Sequence, residues 1–157
     1  MSNYTLNFIL EILKKIELDN HYAELCNTYS DFNKRKNLTK IEVESVIKTF
    51  DSSYKYISKD KTFLKELFIE GFTVRFFLGF KNGIIGFGYL VWKEGGNNNY
   101  HKGNLNTLSQ LIDGKFEERV KNNFPIATSL DDLEKILEKI FLLFDSFEQV
   151  FRNTKDI

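Results

Sequence analysis

Residues 72–92 read FTVRFFLGFKNGIIGFGYLVW, and how this stretch folds back on itself decides the architecture. Asn82-Gly83 is the pivot. A two-residue type I′ turn needs positive φ at both central positions, and Asn-Gly tolerates it. With that turn, Phe80 faces Ile85, Leu78 faces Phe87, Phe76 faces Tyr89 and Val74 faces Val91. All four pairs are apolar, and each such pair stabilises a hairpin by about 0.2–1 kcal/mol. A slip of one residue would destroy the match, so the pattern sets the register.

The opposite face pairs Gly79 with Gly86, Phe77 with Gly88, Arg75 with Leu90 and Thr73 with Trp92. Three glycines beside Phe77 leave a flat patch, which implies close approach of another group. The expected use is packing. A ring or a helix lies on the patch, Phe77 covers Gly88, and Arg75 sits in a partly buried ion pair. The alternative is a shallow ligand or peptide groove formed by Arg75, Phe77, Gly79, Gly86, Gly88 and Trp92, with Arg75 reading an anion.

Helical patterns flank the hairpin. Phe8, Ile9, Ile12, Leu13 and Ile16 form one apolar stripe and predict a helix over 3–18. A second helix, capped by Asp19 or Asn20, carries Tyr22, Leu25, Cys26, Tyr29 and Phe32. After a basic loop at 33–40, Thr39 and Glu42 fit a capping box that opens a third helix over 40–54. Residues 56–70 fit two periods. Phe63, Leu64, Leu67 and Phe68 make a helical stripe, whereas Phe63, Lys65, Leu67 and Ile69 alternate as in a strand. Residues 94–100 read as a polar loop. Asn104 is placed to cap a short helix that Gly114 ends. Residues 115–120 read as a strand or loop, and 124–128 as an edge strand or an extended entry. Ser129 then opens a last helix to about Arg152, with Asp131 and Asp132 in the first turn, where the helix dipole favours acids. The expectation is an α+β fold. A small antiparallel sheet centred on the 72–92 hairpin is flanked by N-terminal helices and a long C-terminal helix. The expected domain covers 1–152, with 153–157 as a fraying tail.

Composition narrows the chemistry. The 157 residues hold one cysteine, Cys26, so no disulfide forms within the chain. One thiol and two separated histidines, His21 and His101, make a poor metal set, and neither metal nor cofactor is expected. Cys26 lies on a helical stripe and reads as a buried, inert thiol. Both histidines read as surface residues, His101 within a polar loop. No stretch approaches the 18 apolar residues of a membrane span, and 6–13 lacks the flanks of a signal peptide. The expected location is the cytoplasm. No Walker loop, dinucleotide fingerprint or Gly-x-Ser-x-Gly elbow is present, and no enzymatic activity is expected.

Lys and Arg total 22 and Asp and Glu total 22, yet the charge is unevenly spread. Residues 34–65 carry nine basic and four acidic groups, whereas 129–151 carry six acids and two bases. The leading expectation is a non-enzymatic protein-binding module, specifically an immunity or inhibitor protein that neutralises a bacterial toxin. Its acidic last helix, through Asp131, Asp132, Glu134, Glu138, Asp145 and Glu148, would meet a basic toxin domain. Two alternatives stand beside it. One is a nucleic-acid module using Lys55, Lys59, Lys61 and Lys65 interleaved with Tyr54, Tyr56 and Phe63. The other is a small-molecule binder at the glycine face.

Overall fold

A computed structural model describes residues 3–93 and 100–154. The chain is α+β, with a five-stranded antiparallel sheet and six helices. Two helices come first, α1 (Asn3–Lys15) and α2 (Leu18–Thr28). Glu17, with φ of 53°, breaks the chain between them. Phe32 was expected on α2, but α2 ends at Thr28. Phe32 falls in a separate 3-10 turn, Phe32–Lys34, where it is 43% exposed.

The third helix, α3 (Lys40–Phe50), starts at the expected capping box. Glu42 N donates to Thr39 Oγ1 at 3.2 Å, and Thr39 N donates to Glu42 Oε1 at 3.1 Å. The helix stops four residues short of the expected 54. Asp51 is extended, and its Oδ1 accepts from Ser53 N at 2.9 Å, which turns the chain. Its other oxygen takes Lys65 Nζ at 2.5 Å.

The sheet is a meander of β1 (Lys55–Ile57), β2 (Thr62–Ile69), β3 (Phe72–Lys81), β4 (Ile84–Lys93) and β5 (Tyr100–Asn104). Every hairpin pair expected between 73 and 92 is present, on both faces. Asn82 and Gly83 have φ of 53° and 77°, as a type I′ turn demands. Residues 62–69 resolve as a strand, so the alternating period decides. Phe63 and Ile69 are buried on the inner face, where Leu67 also packs against the core. A second tight turn, Glu70-Gly71 with φ of 48° and 83°, joins β2 to β3.

β5 corrects the loop reading, because His101 is a strand residue paired with Val91. Of the 94–100 loop, only Tyr100 lies within the described residues. Asn104 does precede α4 (Leu105–Ile112), although its side chain makes no capping bond. Gly114 does not end α4. Asp113 is already extended there, and its N donates to Ser109 O at 2.9 Å. Residues 116–119 form one helical turn, α5 (Phe116–Arg119), rather than a strand. Phe116 is fully buried, and Arg119 Nη1 bridges Asp113 at 2.6 Å and Asp19 at 3.3 Å. Ile126 makes an isolated bridge to Ile84, so 124–128 is the extended entry.

The last helix, α6 (Leu130–Asn153), is capped by Ser129 Oγ accepting from Asp132 N at 3.1 Å. Asn153 still belongs to this helix, and 155–157 lie outside the described residues. At 24 residues it is about 36 Å long and spans the inner face of the sheet. Nine of its side chains are buried. Phe76 stacks on Phe144 at 4.3 Å, and Phe151 meets Phe72 and Phe8 edge-on, each at 5.3 Å.

Candidate functional site: the outer face of the sheet

Strand geometry sends alternate side chains to opposite faces. The inner face carries Phe63, Val74, Phe76, Leu78, Phe87, Tyr89 and Val91, all in the buried core. The register then places everything else in rows across the outer face. One row runs Lys55, Leu64, Phe77, Gly88, Asn104. The next runs Glu66, Arg75, Leu90, Lys102, and the third Phe68, Thr73, Trp92. On the other side of the first row lies Ile57, Thr62, Gly79, Gly86. Ile57, Leu64, Phe68, Phe77, Ile84, Leu90 and Trp92 are apolar, yet none belongs to the core or packs against it. Phe68 is 66% exposed. Among the described residues, no helix lies over this face.

The glycine patch divides in two. A Cβ at Gly88 would stand 2.4 Å from Phe77 Cε2 and 2.8 Å from Gly103 O. Phe77 therefore lies on Gly88, as the packing reading expects. A Cβ at Gly86 would meet nothing within 4 Å, and one at Gly79 only Thr62 Cγ2 at 3.7 Å. These two glycines form an open floor, which the packing reading does not explain. Arg75 is held on two sides. Its Nε donates to the Glu66 carboxylate, and its guanidinium lies 4.6 Å from the centroid of Trp92. Lys102 Nζ stands 5.8 Å from the Phe77 ring.

The acids of α6 do not make one free surface. Asp131 pairs with Lys135 at 2.9 Å, and Glu148 with Arg152 at 3.4 Å. Asp132 accepts from Thr128 N at 3.0 Å within the helix entry. Glu134 and Glu138 are exposed. Asp145 and Glu148 border a 50 Å³ cavity with Asp51 and Lys65. Burial raises the Asp145 carboxyl above its usual range, Lys65 opposes this, and Glu148 and Asp51 add to it. Lys65 thus faces inward and leaves the basic row of 55–65.

A cleft of 740 Å³ between α2 and α6 escaped the sequence reading. His21, Glu24 and Thr28 line one wall, and Lys139, Leu142 and Ser146 the other, over a floor of Leu25 and Leu143. Its signal in the sequence is Leu142, 55% exposed on a helix whose other apolar side chains from Leu133 to Phe147 are buried. Lys15, Lys135 and Lys139 against Glu24 and Glu138 make the lining mixed in sign, and it selects no ligand charge. Cys26 is fully buried, and burial pushes its thiol up to about 12, so it is inert as a nucleophile.

His101 was read as a loop residue, but it faces inward from β5 and shares a 2.6 Å hydrogen bond between its Nδ1 and Tyr89 Oη. Burial lowers its pKa below 6.5. Between the folded value and 6.5 the unfolded chain binds a proton that the folded chain does not. Stability therefore rises with pH across this window and falls as pH drops below about 6.5. Melting curves between pH 5 and 7 should show that fall, and His101→Gln should flatten it. An unchanged slope in the variant would remove His101 as the cause.

Among the described residues, no helix is long and apolar enough to cross a membrane. Compared with known proteins, the chain matches no family model, no curated sequence and no solved structure.

Proposed function

We propose that this chain is a non-enzymatic protein-binding module, an inhibitor of the immunity type, and that the outer face of its sheet is the contact surface. The observation supporting this is the row pattern itself. Seven apolar side chains and an open glycine floor stand on a sheet face that no described helix covers. Phe68 is exposed and the other six are partly exposed, and contiguous accessible apolar surface of this kind marks interaction sites. The face also has interface anchors, since Trp92 and Arg75 are fixed against each other toward one end of it and such residues dominate binding energies.

This surface changes the expected partner. Lys55 and Lys102 flank the apolar centre, and its one acid, Glu66, is already paired with Arg75. A partner with an apolar centre and an acidic rim fits better than the basic toxin domain suggested by α6. Protein-binding by this face and inhibition of a toxin are tested together. The chain is co-expressed with the products of its neighbouring genes, and complexes are resolved by size exclusion. Phe68→Thr with Leu90→Thr keeps β propensity. The double variant should weaken the complex by about 3 kcal/mol, or about a hundredfold, with an unchanged melting temperature. Undiminished binding would place the contact elsewhere. If no neighbouring product binds, the inhibitor reading fails.

A further inference from the structure

We propose that the hairpin-tip end of the sheet is a second binding surface, which takes a single strand of nucleic acid through its phosphates. It adjoins the apolar outer face at Ile84, which pairs with Lys81. Three segments far apart in sequence deliver cations to this one end. The first is a strap, residues 35–40, that crosses the end of the sheet. Lys36 N donates to Ala127 O at 2.8 Å on one side, and Lys40 Nζ lies 4.4 Å over the Tyr56 ring on the other. Leu38, 5% exposed, pins the middle. The hairpin tip rests on the strap so closely that a Cβ at Gly83 would stand 2.7 Å from Lys36 O.

The second segment is the β1–β2 turn, with Lys59 and Lys61 exposed. It sits at the same end because Thr62 pairs with Gly79, two residues before Lys81. The third is Lys81 itself, exposed at the end of β3. Lys36 has an ion-pair partner, Glu42 at 3.8 Å, while Lys59, Lys61 and Lys81 are in no ion pair among the described residues. Against Arg35, Lys36, Lys40, Lys59, Lys61 and Lys81 stand Asp31, Glu42, Asp60 and Asp132, whose carboxylate takes Thr128 N beside the strap, so the end stays net positive in a chain of zero net charge.

Phosphate neutralisation needs cations, and single-strand recognition adds aromatic faces on which bases stack. Phe32 supplies one at this end. It is 43% exposed, and the Arg35 guanidinium lies 4.0 Å from its centroid. From β1 to the Ile126 bridge the end spans four strand spacings, about 19 Å, which suits a site of about four nucleotides. Of the lysines expected to serve this role from sequence, Lys59 and Lys61 remain, while Lys65 is spent on Asp51.

The test is fluorescence anisotropy of a labelled oligo(dT) of about fifteen nucleotides, from about 50 to 200 mM salt. Affinity should fall with salt at a log–log slope of about 0.7 per phosphate neutralised. Lys59→Gln, Lys61→Gln and Lys81→Gln together should weaken binding at least about tenfold and lower the slope by about 2. Phe32→Leu should weaken binding without altering the slope. Lys15→Gln with Lys139→Gln, at the α2–α6 cleft, should change neither. The proposal is overturned by no binding at the lowest salt, by tighter binding of the matching duplex, or by equal loss in the cleft variant. Competition by polyglutamate as effective as by unlabelled oligo(dT) would also overturn it, making the partner an acidic protein. Phe32→Leu and the cleft variant should leave the outer-face complex intact.

Discussion

Phe147→Ala should lower the free energy of unfolding by about 4 kcal/mol, read as a fall in the urea midpoint with an unchanged m-value. Phe147 is 3% exposed on α6, and its ring meets those of Phe76 at 5.7 Å, Tyr89 at 5.7 Å and Phe151 at 5.8 Å. It therefore joins β3, β4 and α6 at one point. The void beside it holds about 10 Å³ and is lined by Leu13, Phe144 and Leu105 among others. A wall already this full cannot collapse into the space a phenyl ring vacates, so the cavity cost adds to the lost transfer energy. A domain of this size has about 5–15 kcal/mol to lose, so the variant should be marginal near 37 °C. Phe147→Leu keeps most of the volume and should lose less than half as much. Leu142→Ala, on the same helix but 55% exposed, should change stability by at most about 0.5 kcal/mol. If Phe147→Ala cost under 1 kcal/mol, α6 would not be docked on the sheet as described.

What the sequence discloses about this fold follows from where its forces are local. The 72–92 hairpin is readable because the turn chemistry and the period-2 pattern agree, and every expected pair occurs. The caps at Thr39 and Ser129 are readable for the same reason, since donor and acceptor lie three residues apart. The edge strands are not. β5 reads YHKGN, and its inner-face residues are His101 and Gly103, so no apolar alternation announces it. It forms because β4 offers an open row of backbone groups. β2 fits two periods, and only pairing with β3 excludes the helical one. Glu70 in the left-handed region also hides the turn that makes that pairing possible.

The sites divide along the same line. That both faces of the hairpin are largely apolar is evident from residue order. That nothing described covers the outer one is a matter of where α1, α4 and α6 pack, which no local pattern contains. The acids of α6 were visible one by one. Two of them, Asp131 and Glu148, are neutralised by Lys135 and Arg152, each one helical turn away, a pairing already present in the spacing. The basic sheet end and the α2–α6 cleft are assembled from segments tens of residues apart, so their parts are legible and their meeting is not.

Gly88 and Gly86, both on the outer face, make the sharpest single comparison, because identical substitutions there should have opposite signs. Gly88→Ala should destabilise by about 3 kcal/mol. Its methyl would overlap Phe77 Cε2 and Cζ, at 2.4 and 2.5 Å, and Gly103 O, at 2.8 Å. The ring can swing away, but the carbonyl belongs to the β5 backbone and cannot move without loosening the β4–β5 ladder. Phe77→Ala in the same chain should therefore restore only part of the loss, a coupling that a double-mutant cycle measures directly. Gly86→Ala meets nothing within 4 Å and has no positive φ to strain. It should stabilise by about 0.5 kcal/mol, because alanine gives up less conformational freedom than glycine on entering a strand. The contrast also reaches function. A glycine kept for packing is intolerant of a methyl in the isolated protein, as Gly88 should be. A glycine whose substitution improves stability has another reason to be bare, which under the proposed function is the approach of a partner. Gly86→Val should thus leave the melting temperature unchanged or raised while weakening the outer-face complex. Equal binding by the variant would mean that the partner stops at Leu64 and Leu90 and never reaches the floor.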